Sequence, residues 1–220
     1  MSGTVGTVAG IIGIYRRDAV LAVGGFDTRM ATEDIELTYR LLLAGWETAY
    51  EPRALIGMQV PTSVGVLWKQ RRRWARGQGE VIHKHVGQLI RWRNRRLWPV
   101  AGETVASALW AELWLIALVY GLVVGLTSLT IGVDDVIPIW GVTVGVIAMV
   151  QLSIAIVLDV HYDRSAGLTL AFGPLYPIAY WILGAMTAVF SEIPSLVRGP
   201  REKPVVWETS RTALPSQPDS

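Results

Sequence analysis

Hydrophobic and polar positions divide the chain into a polar part and an apolar part. Nearly all charged residues lie before Trp98 or after Pro194. Between these positions run three apolar stretches, residues 104–131, 136–158 and 168–190. Each is long enough to cross a bilayer, which takes about 20 residues of helix. The pattern predicts an α-helical multi-pass membrane domain over residues 99–193, with about three spans.

The polar part begins with two helix signals. Asp18 is placed to cap a short helix that Gly24 and Gly25 would end. A second helix is predicted in ATEDIELTYRLLLAGWETAYEP, residues 31–52, with Thr32 as its N-cap and Gly45 after its last turn. Its first turn carries three acidic residues, Glu33, Asp34 and Glu36. Taken alone, such a turn is ordinary, because acidic side chains favour the positive end of the helix dipole.

Two short runs after the second helix, residues 48–50 and 55–60, have the length and the flanking turn residues of strands. Strands alternating with helices are typical of an α/β domain. Residues 1–61 are too few for a complete domain of this class. The sequence therefore predicts part of an α/β domain, followed by the membrane domain.

A basic region connects the two predicted domains over residues 62–98. Its first helix is predicted from Pro61 and Thr62 to about Arg76, and a second basic segment, residues 80–98, is predicted to lie along the membrane surface. In the first helix three side chains share one face because they stand at positions i, i+3 and i+4: Gln70, Arg73 and Trp74. The tail, residues 194–220, is rich in Pro, Ser and charge and is predicted to be disordered.

Composition strengthens the membrane interpretation. Of 220 residues, 51% are hydrophobic and only 17% are charged, which is too apolar for an ordinary soluble domain of this size. The net charge of +2 conceals a block of ten Lys and Arg residues between Lys69 and Arg96, against the single acid Glu80. Nucleic acid could attract such a block, but its place directly before an apolar span indicates the cytoplasmic side of a membrane. There is no cysteine.

Three motifs occur in a fixed order before the apolar stretches: RRDAVLAVGGFD, then TEDIELTYRLLLAGWETAYEP, then LWKQRRRWARG. In this order the chain resembles the C-terminal half of the processive family-two glycosyltransferases, which build β-linked polysaccharides such as cellulose, chitin and hyaluronan. Within that family it is most similar to the enzymes that make poly-β-1,6-N-acetylglucosamine. The resemblance implies a glycosyltransferase A-type fold and a multi-pass location in the bacterial inner membrane.

The resemblance also implies roles for five residues. The TED aspartate, Asp34, would be the general base of an inverting transfer, with Glu33 supporting it. Gln70, Arg73 and Trp74 would form the QxxRW face beside the diphosphate of a nucleotide sugar and the end of the polysaccharide acceptor. The reaction would move a hexose, N-acetylglucosamine from UDP-N-acetylglucosamine. Relatives of this kind use Mg²⁺ or Mn²⁺ held by a DxD motif, and no DxD precedes Asp34 here.

Three functional hypotheses therefore stay open. The first is a glycosyltransferase half, inactive alone, whose nucleotide-binding half is absent or supplied by another chain. The second is a catalytically inert membrane remnant or accessory subunit. The third is a basic membrane-surface module, in which Arg73 meets lipid phosphate and the motifs are accidental.

No metal site is predicted, since His83 and His85 are two residues apart and the polar segment 159–164 reads as a loop. Glu112, within an apolar stretch, has no assigned role.

Overall fold

The computed structural model describes residues 8, 10–51, 53–54, 56–58, 60–127, 136–160 and 175–205, and every regular element within them is helical. The elements are α1 (Arg17–Ala22), α2 (Glu33–Leu43), α3 (Val64–Leu89), a 3₁₀ helix (Trp92–Leu97), α4 (Trp98–Thr127), α5 (Val136–Asp159), α6 (Leu175–Thr187), a π-helical turn (Ala188–Glu192) and α7 (Ile193–Arg198). Helix α3 lies at the centre and packs against α2, α4, α6 and α7.

Helices α1 and α2 form where the sequence predicts them. Contrary to the prediction, Asp18 does not cap α1: the N-cap position is Arg16, and Asp18 lies inside the first turn, where its Oδ1 accepts a hydrogen bond of 3.0 Å from the Ala19 N–H. Gly24 and Gly25 follow with φ angles of 88° and 77°, a region that favours glycine and ends the helix. Leu37 of α2 is fully buried where the two helices pack together.

Helix α3 is longer than predicted. Ser63 caps it by accepting a hydrogen bond of 3.3 Å from the Val66 N–H, and the helix then continues without interruption to Leu89. One helix of 26 residues therefore spans the first predicted helix and half of the second basic segment, and the 3₁₀ helix follows it. Apolar residues from α3 and its neighbours form the main core, which comprises Met30, Tyr39, Val81, Ile82, Leu89 and Leu97.

The α/β prediction is wrong for the residues that the structure describes. Residues 48–50, 56–58 and 60 are not strands, and positions 55 and 59 lie outside the described residues. A short strand requires a neighbour that satisfies its backbone N–H and C=O groups. No such partner strand is present in the described ranges. The segment between α2 and α3 is therefore an irregular connection.

The multi-pass prediction is also wrong. By length and composition, only two helical segments of the described residues could cross a membrane, Trp92–Val123 and Ala179–Arg198. Helix α5 is apolar over the shorter segment Gly145–Asp159. Of the third predicted span, residues 175–190 are described and helical, and the helix continues past the predicted end through the π turn into α7.

The predicted disordered tail begins as ordered chain. Pro194 lies at the start of α7, directly after the π turn, where its missing N–H interrupts the hydrogen-bond ladder of the continuous helix. After Arg198 the chain returns toward the loop before α2, where the Val205 N–H donates a hydrogen bond of 2.9 Å to the Thr28 carbonyl. Residues 206–220 and most of the polar segment 159–164 lie outside the described residues.

Candidate active site

A buried carboxylate joins α3 to the loop that precedes α2. Glu80 is completely buried, and its Oε2 accepts a hydrogen bond of 3.0 Å from the backbone N–H of Ala31. Its Oε1 pairs with the Arg76 guanidinium one turn earlier, at 2.5 and 2.6 Å. The acidic start of α2 is thereby attached to the helix that carries Gln70, Arg73 and Trp74.

The same two elements touch at Gly77. A methyl group built on Gly77 would overlap the side chain of Thr32, with the two Cβ atoms 2.8 Å apart. Thr32 does precede α2, as predicted, but its hydroxyl caps nothing: it turns toward α3, and its buried oxygen has no hydrogen-bond partner among the described residues. Thr32 therefore serves as a packing surface for α3.

Neighbouring elements lie close to Gly77 and Gly79 of α3 and far from Gly87. Alanine substitutions at these three positions should therefore change the free energy of unfolding by different amounts. Gly79→Ala should lower the free energy of unfolding by about 3 kcal/mol, because its methyl group would overlap the Glu192 carbonyl of the π turn. Gly77→Ala should cost about 1–2 kcal/mol, because a side chain yields more easily than backbone. Gly87→Ala meets nothing within 4 Å and should be neutral or stabilising by up to about 1 kcal/mol.

Denaturant unfolding of the three purified variants measures this ranking. The change Thr32→Gly should remove most of the cost of Gly77→Ala, because it deletes the opposing side chain. Equal effects at Gly79 and Gly87 would contradict the close packing of α3 on the π turn.

The predicted base lies at the start of α2. The Asp34 Oδ2 accepts a hydrogen bond of 2.7 Å from the Gly10 N–H, and its Oδ1 accepts one of 2.9 Å from the Ile35 N–H. Asp34 and Glu33 are both half-buried. Two backbone donors thus hold the Asp34 carboxylate in place at an accessible edge of the fold.

Arg73 faces these acids from α3. Burial lowers the pKa of the Arg73 guanidinium, and the nearby charges of Glu33 and Asp34 oppose part of that effect. An arginine remains charged in either case. The effect of Glu33 and Asp34 on Arg73 indicates that the guanidinium lies near both carboxylates. The structure therefore brings together Glu33, Asp34 and Arg73, which come from two predicted motifs.

Trp74 and Gln70 are half-buried on α3 beside Arg73. The guanidinium of Arg71 lies between two aromatic rings, 4.8 Å from the Trp74 centroid and 4.9 Å from that of Tyr180 on α6. Trp74 is thereby held against α6. No described contact brings Gln70 to the acids of α2.

Two concave surfaces adjoin these residues. A cationic cleft of about 250 Å³ lies beside Ala31 and is lined by Lys69, Arg72, Arg73, Arg76 and Arg201. A groove of about 840 Å³ runs between α3, α4 and α6. Its lining combines aromatic faces with polar groups: Gln78, Glu103, Ser107, Trp110, Tyr180, Trp181 and Glu192. The first surface suits an anion, and the second suits a ligand with both apolar and hydroxyl faces.

A second buried charge network joins α2 to α3. Glu36 is completely buried, and three cationic or titratable groups contact its carboxylate: Arg40 at 2.7 Å, Lys84 at 2.6 Å and His85 at 3.1 Å. Burial alone would raise the pKa of Glu36, but the hydrogen bonds from His85, Arg40 and Lys84 outweigh it and lower the pKa to about 2. Lys84 also pairs with Asp27 at 2.8 Å. The network therefore connects α3, α2 and the turn after α1.

The sequence interpretation did not predict that Glu36 and Glu80 are buried carboxylates that join α2 and the loop before it to α3. One signal for Glu80 was available: it is the single acid of the basic block and lies seven residues after Arg73, on the same helical face. His83 and His85 have structural roles, since the His83 ring is hydrogen-bonded to the Leu196 carbonyl at 2.7 Å. Glu112 lies half-buried on α4, and its Oε2 has no hydrogen-bond partner among the described residues.

The resemblance implies Mg²⁺ or Mn²⁺, which prefer carboxylate oxygens as ligands. Among the residues that the structure describes, no group of three or more His, Asp or Glu side chains lies close enough to hold such an ion. The described side chains therefore form no site that could hold such an ion by protein ligands alone. No step of the chemistry below is assigned to one.

Comparison with known proteins gives one family and a consistent set of relatives. Residues 1–190 match the model of "Glycosyl transferase family group 2". The chain is 30% identical over 209 residues to the poly-β-1,6-N-acetyl-D-glucosamine synthase of Staphylococcus epidermidis, covering 90% of this chain and 49% of that protein. The enzyme of the same name from Staphylococcus aureus strain COL is 30% identical over 201 residues, with the same coverage. The chain thus spans about half the length of these relatives. No solved structure matches.

Proposed function

Because the chain belongs to glycosyl transferase family group 2, we propose that it supplies the general base, a surface for the leaving diphosphate and the acceptor path of an inverting, processive sugar transfer. The sugar is N-acetylglucosamine, donated by UDP-N-acetylglucosamine, and the acceptor is a growing β-linked polysaccharide. The observation that carries the proposal is the packing of two separate motifs together: Glu80 of α3 binds the Ala31 N–H, and Arg73 lines a cleft with Ala31, three residues before Asp34. The choice of sugar rests on the names of the Staphylococcus relatives.

Asp34 acts in this proposal as the general base. Inverting transfer is a single displacement, in which the acceptor hydroxyl attacks the sugar carbon as a carboxylate removes its proton. The Asp34 carboxylate is held by the Gly10 N–H and remains half-exposed, so a hydroxyl can approach it. Glu33 orients the site and does not react.

Arg73 and the cationic cleft beside Ala31 receive the leaving diphosphate. Negative charge grows on this group as the bond to the sugar breaks, and cations already in place stabilise it without reorganisation. Lys69 and Arg73 line the cleft, on the helix that Glu80 attaches to the start of α2. Donor and base would therefore be positioned by one rigid junction.

The aromatic groove between α3, α4 and α6 is the proposed path of the polysaccharide. Sugar rings pack their apolar faces on aromatic side chains, while their hydroxyls need polar partners at the edges. Trp110 and Trp181 supply such faces, and Glu103 and Ser107 supply partners. Exposed apolar residues on α4, including Leu113 and Tyr120, favour association of this region with lipid.

The test measures transfer of labelled N-acetylglucosamine by membranes that contain an enzyme including this chain. Polymer should form from UDP-N-acetylglucosamine in preference to UDP-glucose, and a β-1,6-specific N-acetylglucosaminidase should degrade it. Polymer built only from glucose, or resistant to that enzyme, would overturn the proposed sugar or linkage.

The change Arg73→Ala tests the diphosphate role in the same assay. The rate should fall by about 10²-fold, the usual cost of removing one donor aimed at developing charge. Arg53→Ala is the matched control, because Arg53 is exposed and pairs only with Glu51 among the described residues, at 2.7 Å. A full rate in Arg73→Ala would remove Arg73 from the proposed site.

A further inference from the structure

A second cationic surface lies at the C-terminal end of α7. Four arginines, Arg72, Arg76, Arg198 and Arg201, line a cleft of about 350 Å³, which we call the arginine cleft. Its remaining wall is formed by the π turn and α7 and includes Phe190, Ser191 and Pro194. The arginine cleft adjoins the cationic cleft beside Ala31 and shares Arg72, Arg76, Ser191 and Arg201 with it, whereas Arg198 lines the arginine cleft and not the other.

The charges of the arginine cleft are only partly neutralised. Arg76 is paired with the buried Glu80. Arg72 donates one hydrogen bond of 3.2 Å, from its Nε to the neutral Ser191 hydroxyl. Arg198 and Arg201 are exposed, and neither forms an ion pair with another residue of the described ranges. Three guanidinium groups therefore border one concavity with no described carboxylate to compensate them.

The position of the cleft indicates the source of its ligand. The apolar segment Ala179–Arg198 ends at Arg198, so the cleft lies where an apolar helix meets a cluster of positive charge. Phe190 is 55% exposed on the wall of the cleft, and Val197 beside it is 75% exposed. Apolar side chains next to cations match the two parts of a phospholipid, its acyl chains and its headgroup.

Guanidinium groups favour a phospholipid headgroup that carries phosphate. Planar N–H donors match the oxygens of a phosphate and bind two of them at once. The π turn contributes as well, because it carries both Phe190 and Ser191, the acceptor that orients Arg72. We propose that the arginine cleft binds the phosphate group of an anionic phospholipid. This inference uses none of the sugar-transfer chemistry, and its test changes Arg198, which does not line the cleft assigned to the diphosphate.

The experiment uses the full chain purified in detergent, with phosphatidylglycerol, phosphatidylcholine and inorganic phosphate as separate probes. Phosphatidylglycerol should remain bound in native mass spectrometry and raise the unfolding temperature, whereas phosphatidylcholine should do neither. Arg198→Gln should weaken phosphatidylglycerol binding by about tenfold, as expected for the loss of charge-assisted hydrogen bonds. Arg198→Lys keeps the charge but not the planar donors and should recover only part of the affinity.

Arg93→Gln is the matched control, because it removes the same charge from an exposed position on the 3₁₀ helix, outside the cleft. It should leave phosphatidylglycerol affinity within about twofold of wild type. Equal losses in Arg198→Gln and Arg93→Gln would mean that lipid responds to net charge alone, which would overturn the site. Protection by inorganic phosphate without any by phosphatidylglycerol would overturn the lipid as its ligand. Arg201→Gln repeats the test if Arg198→Gln unfolds.

Discussion

Removing the Glu36 carboxylate should lower the free energy of unfolding by about 3–5 kcal/mol. The change Glu36→Ala would leave Arg40, Lys84 and His85 around a buried space without the carboxylate that all three contact. A buried cation that loses its partner costs far more than an exposed one. Denaturant unfolding of the purified chain measures the loss. Glu51→Ala breaks only an exposed pair and should leave the unfolding midpoint almost unchanged.

The same carboxylate should make stability depend on pH. The pKa of Glu36 in the folded chain is about 2, below the ordinary value of 4.5. Since the folded state holds the proton more weakly than the unfolded state, the stabilisation is complete above about pH 4.5 and is lost as the pH falls toward 2. Glu36→Ala should flatten this part of the stability curve. An unchanged acid transition in that variant would contradict the network.

The helices of the polar part could be predicted from local signals. The paired glycines after α1, and the acidic first turn and Gly45 of α2, all act within a few residues of the chain. The shared face of Gln70, Arg73 and Trp74 follows from helical spacing alone. These signals do not depend on the rest of the fold, so they survive in the structure.

Features that depend on distant partners could not be predicted in this way. The runs 48–50 and 55–60 have the composition of strands, but a strand also needs a neighbour, which local pattern does not report. Glu36 looked like one more acid in a helical first turn, although it is paired with Lys84 and His85 from another helix. The continuation of α3 past Arg76 likewise depends on tertiary contacts, in which Gly77 and Gly79 permit close packing.

Asp34→Asn should reduce sugar transfer by roughly 10²- to 10⁴-fold, the contribution of a positioned general base. An amide has almost the same shape as a carboxylate, and its one oxygen can still accept the hydrogen bond from Gly10, although its NH₂ group cannot accept the bond from the Ile35 N–H. It cannot accept the proton of the acceptor hydroxyl. Binding of the donor should therefore change little, because the diphosphate is assigned to Arg73 and the cationic cleft. Glu33→Gln serves as the neighbouring control and should cost much less than Asp34→Asn.

The most direct test of the account measures donor binding and transfer in one preparation of an enzyme that contains this chain. Membranes carrying wild-type, Asp34→Asn or Glu33→Gln chains are given labelled UDP-N-acetylglucosamine, and bound donor and label in polymer are both counted. The account predicts that the Asp34→Asn enzyme binds donor as wild type does but makes almost no polymer. Polymer synthesis at the wild-type rate by the Asp34→Asn enzyme would contradict the assignment of Asp34 as the base.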